Sequence, residues 1–291
     1  MPRETETIKL LKTLLGLYMP RGGEVRRLAE IAKLNKLLLA YLRRVGDALR
    51  DELVREEARY RWFTRNAAEV VEVLEDIGAI YALYKFRRPL DHVSVDLDTL
   101  VSVEDVPKAV KALVSRGFKV VVWEPYTATL ARDGFIVDLY TQPSFAWIVY
   151  INGEKLLKYA EDFELNGIWA RGISREAEVA VTAAHSIYKE QMVLLIDCLV
   201  AQKWMNGRTK EIAAELKVEK ALEELLNICE FVNRGLVEAP IRLKPRTLLA
   251  TFLEKAVKDS TFRATLPNAT RYLMRRSIGA DVLSRLIRRS Y

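Results

Sequence analysis

Residues 93–101 read Val-Ser-Val-Asp-Leu-Asp-Thr-Leu-Val, a β-branched and apolar run broken by two aspartates one residue apart. Such a run predicts a strand, because β-branched side chains fit a pleated, half-buried surface. Side chains alternate faces along a strand, so Asp96 and Asp98 project to the same side. Like charges on one face repel, and the strand gains nothing structural from them. A divalent cation between them removes the repulsion. Ligation by oxygen alone suits Mg²⁺ or Mn²⁺. The plain alternative is a pair of solvated acids at a strand end.

A second run, Phe135-Ile136-Val137-Asp138-Leu139-Tyr140, carries one aspartate in an apolar strand. Asp133-Gly134 just before it is a hairpin signal, with 126–132 as the partner strand. Adjacent strands would bring Asp138 to the face that carries Asp96 and Asp98. Three carboxylates around metal ions serve phosphoryl or nucleotidyl transfer.

The order of elements around these strands sets the fold class. Strands are expected at 79–85, 93–101, 119–124, 127–132 and 135–141, with a helix at 106–116 closed by Gly117. This strand, helix and hairpin order predicts a small mixed sheet with helices on one face. Residues 143–172 read as irregular, with a hairpin at Asn152-Gly153. Upstream, 5–18 reads as a helix broken by Met19-Pro20-Arg21-Gly22-Gly23. A long helical region follows at 24–75, divided at Gly46 or near Glu56-Glu57. It suggests a hairpin or bundle, and paired long helices are a common surface for homo-oligomers. Downstream, Ser174 is a good N-cap for a helix running to about 205, and the remainder is helical with breaks at 235–245 and Pro267. The expected class is α+β: a small mixed sheet flanked by N-terminal long helices and a C-terminal helical region. The expected divisions are 1–75, 76–172 and 173–291.

Composition narrows the remaining choices. Half of the 291 residues are hydrophobic, enough for a large core. No apolar run approaches the roughly 20 residues of a membrane span. The polar start lacks a signal-peptide core, so a cytoplasmic protein without membrane contact is expected. Cys198 and Cys229 lie in helical patterns and read as buried thiols rather than a disulfide. Two cysteines and two histidines are too few for zinc unless acids join in. The net charge of +7 on a chain dense in both signs fits the ion-pair-laced surface of a thermophile. That excess permits a polyanionic partner without demanding one. Arg271, Arg275, Arg276, Arg285, Arg288 and Arg289 offer a footprint for RNA phosphates, with simple solubility as the equal alternative. The arginines along 24–75 read first as a solvated face and second as a nucleic-acid stripe. Trp123, Trp147 and Trp169 read first as core and second as a base-stacking pocket.

The segment Lys85-Phe86-Arg87-Arg88-Pro89-Leu90-Asp91-His92-Val93-Ser94-Val95-Asp96-Leu97-Asp98, then Val137-Asp138-Leu139, then Ala184-His185-Ser186-Ile187-Tyr188-Lys189-Glu190 together form a pattern. It resembles the polymerase-β-like nucleotidyltransferase superfamily, and most of all the archaeal and bacterial nucleotidyltransferase-like proteins that include the AbiEii-type toxins. The resemblance covers about 76–204. It implies a metal-dependent transfer of a nucleotide from an NTP such as ATP to an acceptor, with Asp96, Asp98 and Asp138 as catalytic metal ligands. It implies Mg²⁺ or Mn²⁺ as cofactor. The open acceptors are RNA (a tRNA end), a protein or a small molecule.

One departure is plain. The superfamily usually carries a Gly-Ser or Gly-Gly pair about ten residues before the first acid, and here that window is Ala82-Leu83-Tyr84-Lys85-Phe86-Arg87-Arg88. Lys85, Arg87 and Arg88 are the candidates to supply phosphate-binding charge in its place. Ser94 is either a contact to a metal-bound water or phosphate, or a small polar strand residue. His185 and Lys189, one helical turn apart, either face the triphosphate or are a packed histidine and a surface lysine. His92, Asp91, Asp133 and Asp197 read as structural. Two other functions stay open: a silent nucleotidyltransferase fold that binds RNA or protein, and a toxin paired with an antitoxin.

Overall fold

The computed structural model describes residues 4–274. The chain begins with α1 (Glu6–Leu14), α2 (Gly23–Leu34), α3 (Leu38–Val45), a 3₁₀ turn (Gly46–Leu49) and α4 (Arg50–Asp76). It continues through β1 (Tyr81–Leu83), β2 (Asp96–Val101), α5 (Val106–Ser115), β3 (Lys119–Glu124), β4 (Thr127–Arg132) and β5 (Phe135–Tyr140). Then come β6 (Ser144–Phe145), β7 (Ile148–Val149), α6 (Gly153–Leu157), β8 (Ala160–Leu165), β9 (Ile168–Ile173) and α7 (Arg175–Ala184). A π-helical turn (His185–Glu190), β10 (Met192–Val193), α8 (Leu195–Trp204), α9 (Gly207–Glu215) and α10 (Glu219–Asn233) follow. The described chain closes with β11 (Ile241–Arg242), α11 (Pro245–Lys258), α12 (Ser260–Thr265) and α13 (Asn268–Met274). The fold is α+β.

A seven-stranded sheet runs in the order β3-β4-β5-β2-β1-β9-β8. β2 and β5 are parallel neighbours, as are β1 and β9, while the other pairs are antiparallel. The sheet is therefore mixed. Helices cover both of its faces, where the sequence suggested one. On one face Phe63, Val70 and Leu74 of α4 and Leu113 of α5 pack on Leu97, Leu130 and Val137. On the other, Ala82, Leu100 and Tyr140 join a larger core with α1 to α3, α7, α8 and α10. Strand alternation puts Asp96 and Asp98 on this second face, with Leu100.

Local chemistry accounts for most boundaries. Asp133 (φ 50°) and Gly134 (φ 84°) both take positive φ, as a two-residue type I′ hairpin demands. Gly117 at φ 88° closes α5. The 24–75 region breaks at Gly46 (φ 55°) and also at Lys36 (φ 56°), whereas Glu56-Glu57 lies inside α4. Residues 93–95 fall outside the sheet, so β2 starts at Asp96 itself.

Three expectations are corrected. Asn152-Gly153 is not a hairpin: the Asn152 side chain accepts from the Lys155 N–H at 2.9 Å and caps α6. The hairpin of this region turns instead at Asn166-Gly167, between β8 and β9. The helix expected from 174 to 205 is interrupted by the π turn, by Gln191 at φ 55° and by β10, which pairs with β11. Cys198 and Cys229 are not free thiols. They form a disulfide, Cα–Cα 5.2 Å, because α8 and α10 pack side by side. Among the described residues, no helix is long and apolar enough to cross a membrane.

Candidate metal centre

Three strands and one turn build the candidate site. β2 supplies Asp96 and Asp98, and its parallel neighbour β5 places Asp138 directly opposite Asp98. One carboxylate oxygen from each of Asp96, Asp98 and Asp138 lies within 4.8 Å of the others. β1 runs antiparallel to β2 and ends at Leu83, so the next residues pass over the acids. Tyr84 donates its N–H to the Asp98 carbonyl at 3.1 Å, and Lys85 then turns inward at φ 58°.

Each acid has a distinct environment. Asp98 is 7% exposed, and its Oδ2 sits 2.6 Å from the Lys85 ammonium. Its Oδ1 is buried with no hydrogen-bond partner. Burial pushes the Asp98 carboxyl up to about 6, against the pull of Lys85. Burial also raises Asp138, opposed by the hydrogen bond that Thr129 of β4 donates to its Oδ1. Tyr140 lies 3.4 Å from Asp138 Oδ2 and is within 3.4 Å of the Lys189 ammonium. Asp96 is partly exposed, with the Ser94 hydroxyl 3.5 Å away.

Two lysines face this cluster. For Lys85 the cost of burial is outweighed by Asp98 and Asp96, so its ammonium is held above the usual range. For Lys189 burial and the charge of Lys85 win, and its ammonium is lowered. The π turn explains a third pairing. Its wider spiral aligns residues five apart, and His185 Nε2 meets Glu190 at 3.2 Å. The Tyr150 hydroxyl lies 3.3 Å from His185 Nδ1. Burial and the charge of Lys85 hold the imidazole well below its usual range, so it is neutral near pH 7. A hydrogen bond from His185 holds Glu190 well below the usual carboxylate range.

An unpaired buried carboxylate oxygen beside two more carboxylates is a ligand set that fits Mg²⁺ or Mn²⁺. The structure thus brings together Asp96, Asp98, Asp138, Lys85, Ser94 and Lys189, with His185 close behind through Tyr150. Arg87 and Arg88 lie elsewhere. Arg87 donates to Glu161 and to the Ile173 carbonyl, and Arg88 donates to Thr182. The sequence reading missed Thr129, Tyr140, Tyr150 and Glu190. Glu190 had a faint signal in its five-residue spacing from His185, which only a π turn makes meaningful.

Of the residues read as structural, Asp133 sits in the turn between β4 and β5. Asp197 accepts from Ser186 and from the Leu194 N–H, and Asp91 pairs with Arg43. Trp147 is buried, while Trp123 on β3 and Trp169 on β9 are exposed. Arg275, Arg276, Arg285, Arg288 and Arg289 lie outside the described residues.

No protein-family model matches the chain, and no curated protein matches it. Solved structures are similar over part of it, two of them antibiotic-modifying or resistance proteins. The lincosamide antibiotic adenylyltransferase LnuA, bound to lincomycin, shares 14% identity at a TM-score of 0.33, covering 53% of this chain and 96% of its own. The antibiotic-resistance factor ANT(2″)-Ia shares 13% identity at a TM-score of 0.34, covering 60% of this chain and 94% of its own.

Proposed function

We propose that the protein is a metal-dependent nucleotidyltransferase that moves a nucleotide from an NTP to an acceptor hydroxyl. The observation that carries this reading is the register of β2 against β5, which gathers three carboxylates within 4.8 Å. A solvated pair of acids would not need a third from a neighbouring strand, nor a buried oxygen without a partner. Asp96 and Asp98 would hold Mg²⁺ or Mn²⁺, with Asp138 completing the set. Bound there, the ion neutralises triphosphate charge and helps align the reacting groups.

The chain's own residues have defined tasks in this scheme. The acceptor oxygen bonds to the α-phosphorus, pyrophosphate leaves, and the acceptor proton passes to the Asp138 carboxylate. The raised affinity of Asp138 for protons suits it to that transfer. Thr129 fixes the Asp138 carboxylate by its hydrogen bond. Lys189, close to Tyr140, offers positive charge to the departing phosphates. His185, neutral and held between Tyr150 and Glu190, positions the turn that carries Lys189.

Two observations favour a second reading, a silent fold that binds nucleic acid or protein. Lys85 already neutralises Asp98, and the usual glycine pair is missing. The two readings separate in one assay. Purified protein is incubated with each α-³²P NTP and Mg²⁺ or Mn²⁺, together with total RNA or protein extract. Asp96→Asn/Asp98→Asn runs beside it. The transferase reading expects label in one acceptor class with the parent, and a loss of at least about a hundredfold in the variant. Equal labelling by both proteins refutes the metal centre. Absent labelling combined with absent Mg-NTP binding selects the silent fold.

A further inference from the structure

A cavity of about 380 Å³ opens apart from the three aspartates, none of which lines it. That volume is in the range of about 300–1,000 Å³ typical of small-molecule pockets. Its walls bring together α4, the segment after β1, the β8–β9 hairpin, the start of α7 and the end of α8. They carry Arg87, Arg88 and Arg175 beside the rings of Phe86, Phe163 and Trp204.

The charges and rings are interleaved. The Arg87 guanidinium lies 5.1 Å from the centre of the Phe163 ring, and that of Arg175 lies 6.0 Å from the Trp204 ring. Phe86 is 6.0 Å from Phe163. The acids nearby cancel only part of this charge. Asp91 is tied to Arg43 at 2.6 Å, and Glu164 is exposed at the rim. Arg87 is paired with Glu161. Arg88 approaches Glu178 only to 3.9 Å, beyond hydrogen-bond length, and donates a hydrogen bond to Thr182. Glu178 is fully buried. Burial pushes that carboxyl up to about 7, against the pull of Arg88. Arg175 has no ion-pair partner among the described residues.

We propose that this cavity is a second ligand site, for a nucleoside 5′-monophosphate group, free or at the end of a single strand. Guanidinium groups bind phosphate through forked N–H donors, and each has five. Aromatic and guanidinium planes stack a nucleobase without needing its sequence. A plain anion site would have no use for the rings, and an apolar site would not gather three arginines. The site is also joined to the metal centre by sequence. Arg87 and Arg88 follow Lys85 by two and three residues, so a phosphate held here grips the segment that places Lys85 on Asp98. The proposal does not depend on the transferase reading.

The test is calorimetric titration of the full chain in EDTA, so that no divalent ion can seat a phosphate at the aspartates. The probes are AMP, a 5′-phosphorylated RNA hexamer and inorganic phosphate. AMP or the hexamer is expected to bind at least tenfold more tightly than phosphate alone. Tighter AMP identifies a free mononucleotide, and a tighter hexamer identifies a strand end. Arg175→Ala and Trp204→Ala should each weaken binding at least fivefold, while Asp96→Asn/Asp98→Asn leaves it within twofold. Arg175 is exposed, and Arg175→Gln serves as a second variant that removes the charge while leaving a polar, unbranched side chain. Phosphate binding as tight as AMP, binding indifferent to Arg175 and Trp204, no binding by any probe, or binding lost with the aspartates would each overturn it.

Discussion

Lys85 is the resident cation of the aspartate cluster. Its side chain is 12% exposed and Asp98 is 7% exposed, so the pair lies largely out of water. Removing one partner of such a pair leaves an uncompensated charge, at a cost of about 3–5 kcal/mol. Lys85→Met should therefore lower the melting temperature of the metal-free protein. A divalent ion at Asp96 and Asp98 would take over the neutralising role. Added Mn²⁺ should then raise the melting temperature of Lys85→Met by more than it raises the parent's, and EDTA should reverse the gain. Equal shifts in the two proteins would show that Lys85 and the ion do not share Asp98. From sequence alone Lys85 is one of three neighbouring basic residues, with nothing to rank them. Its positive φ, which turns it inward as Arg87 and Arg88 go elsewhere, depends on β1 ending at Leu83.

At the scale of elements, the disulfide has the clearest consequence. It links α8 to α10 and closes a loop across a separation of 31 residues. Loop-closure entropy puts its worth at about 3–4 kcal/mol. Reduction with a phosphine, or the Cys198→Ala/Cys229→Ala variant, should lower the melting temperature by roughly 5–10 °C. A melt that ignores reductant, with thiol titration proving the bond open, would remove the disulfide from the stability of this pair. Two helical patterns cannot reveal that their faces meet, which is why the cysteines read as separate thiols. By contrast the β3–β4–β5 meander was legible to within a residue, because turn chemistry at Asp133-Gly134 and strand alternation are local. Asp138 opposite Asp98 was legible for the same reason once the strands were adjacent. The Asn152-Gly153 pair misled because the same two residues serve a hairpin and a helix start. Here the glycine is needed for a close approach: a Cβ on Gly153 would stand 2.0 Å from the Thr141 carbonyl oxygen.

At the scale of the whole molecule, the larger of the two cores ignores chain order. Leu10, Leu28 and Tyr41 from the first helices share it with Leu195, Val232 and Phe262. Buried hydrogen bonds fasten the same junction. Asn35, fully buried, donates to the Ala239 carbonyl at 3.1 Å and accepts from the Leu195 N–H at 2.8 Å. Thr7 donates to Glu238 and accepts from the Ala239 N–H. Such pairings between distant segments leave no mark in composition or periodicity. They make the N-terminal helices part of the frame that supports α7, the π turn and hence Lys189. Asn35→Ala would strand the Leu195 N–H and an Ala239 carbonyl lone pair in the interior, at about 1–3 kcal/mol for each group. Because the core is shared, that loss should lower a single transition seen alike by far-ultraviolet circular dichroism and by tyrosine and tryptophan signals. Helices that unfolded by themselves would give two steps, with Asn35→Ala moving only the earlier one, and that result would separate the N-terminal helices from the support of the site.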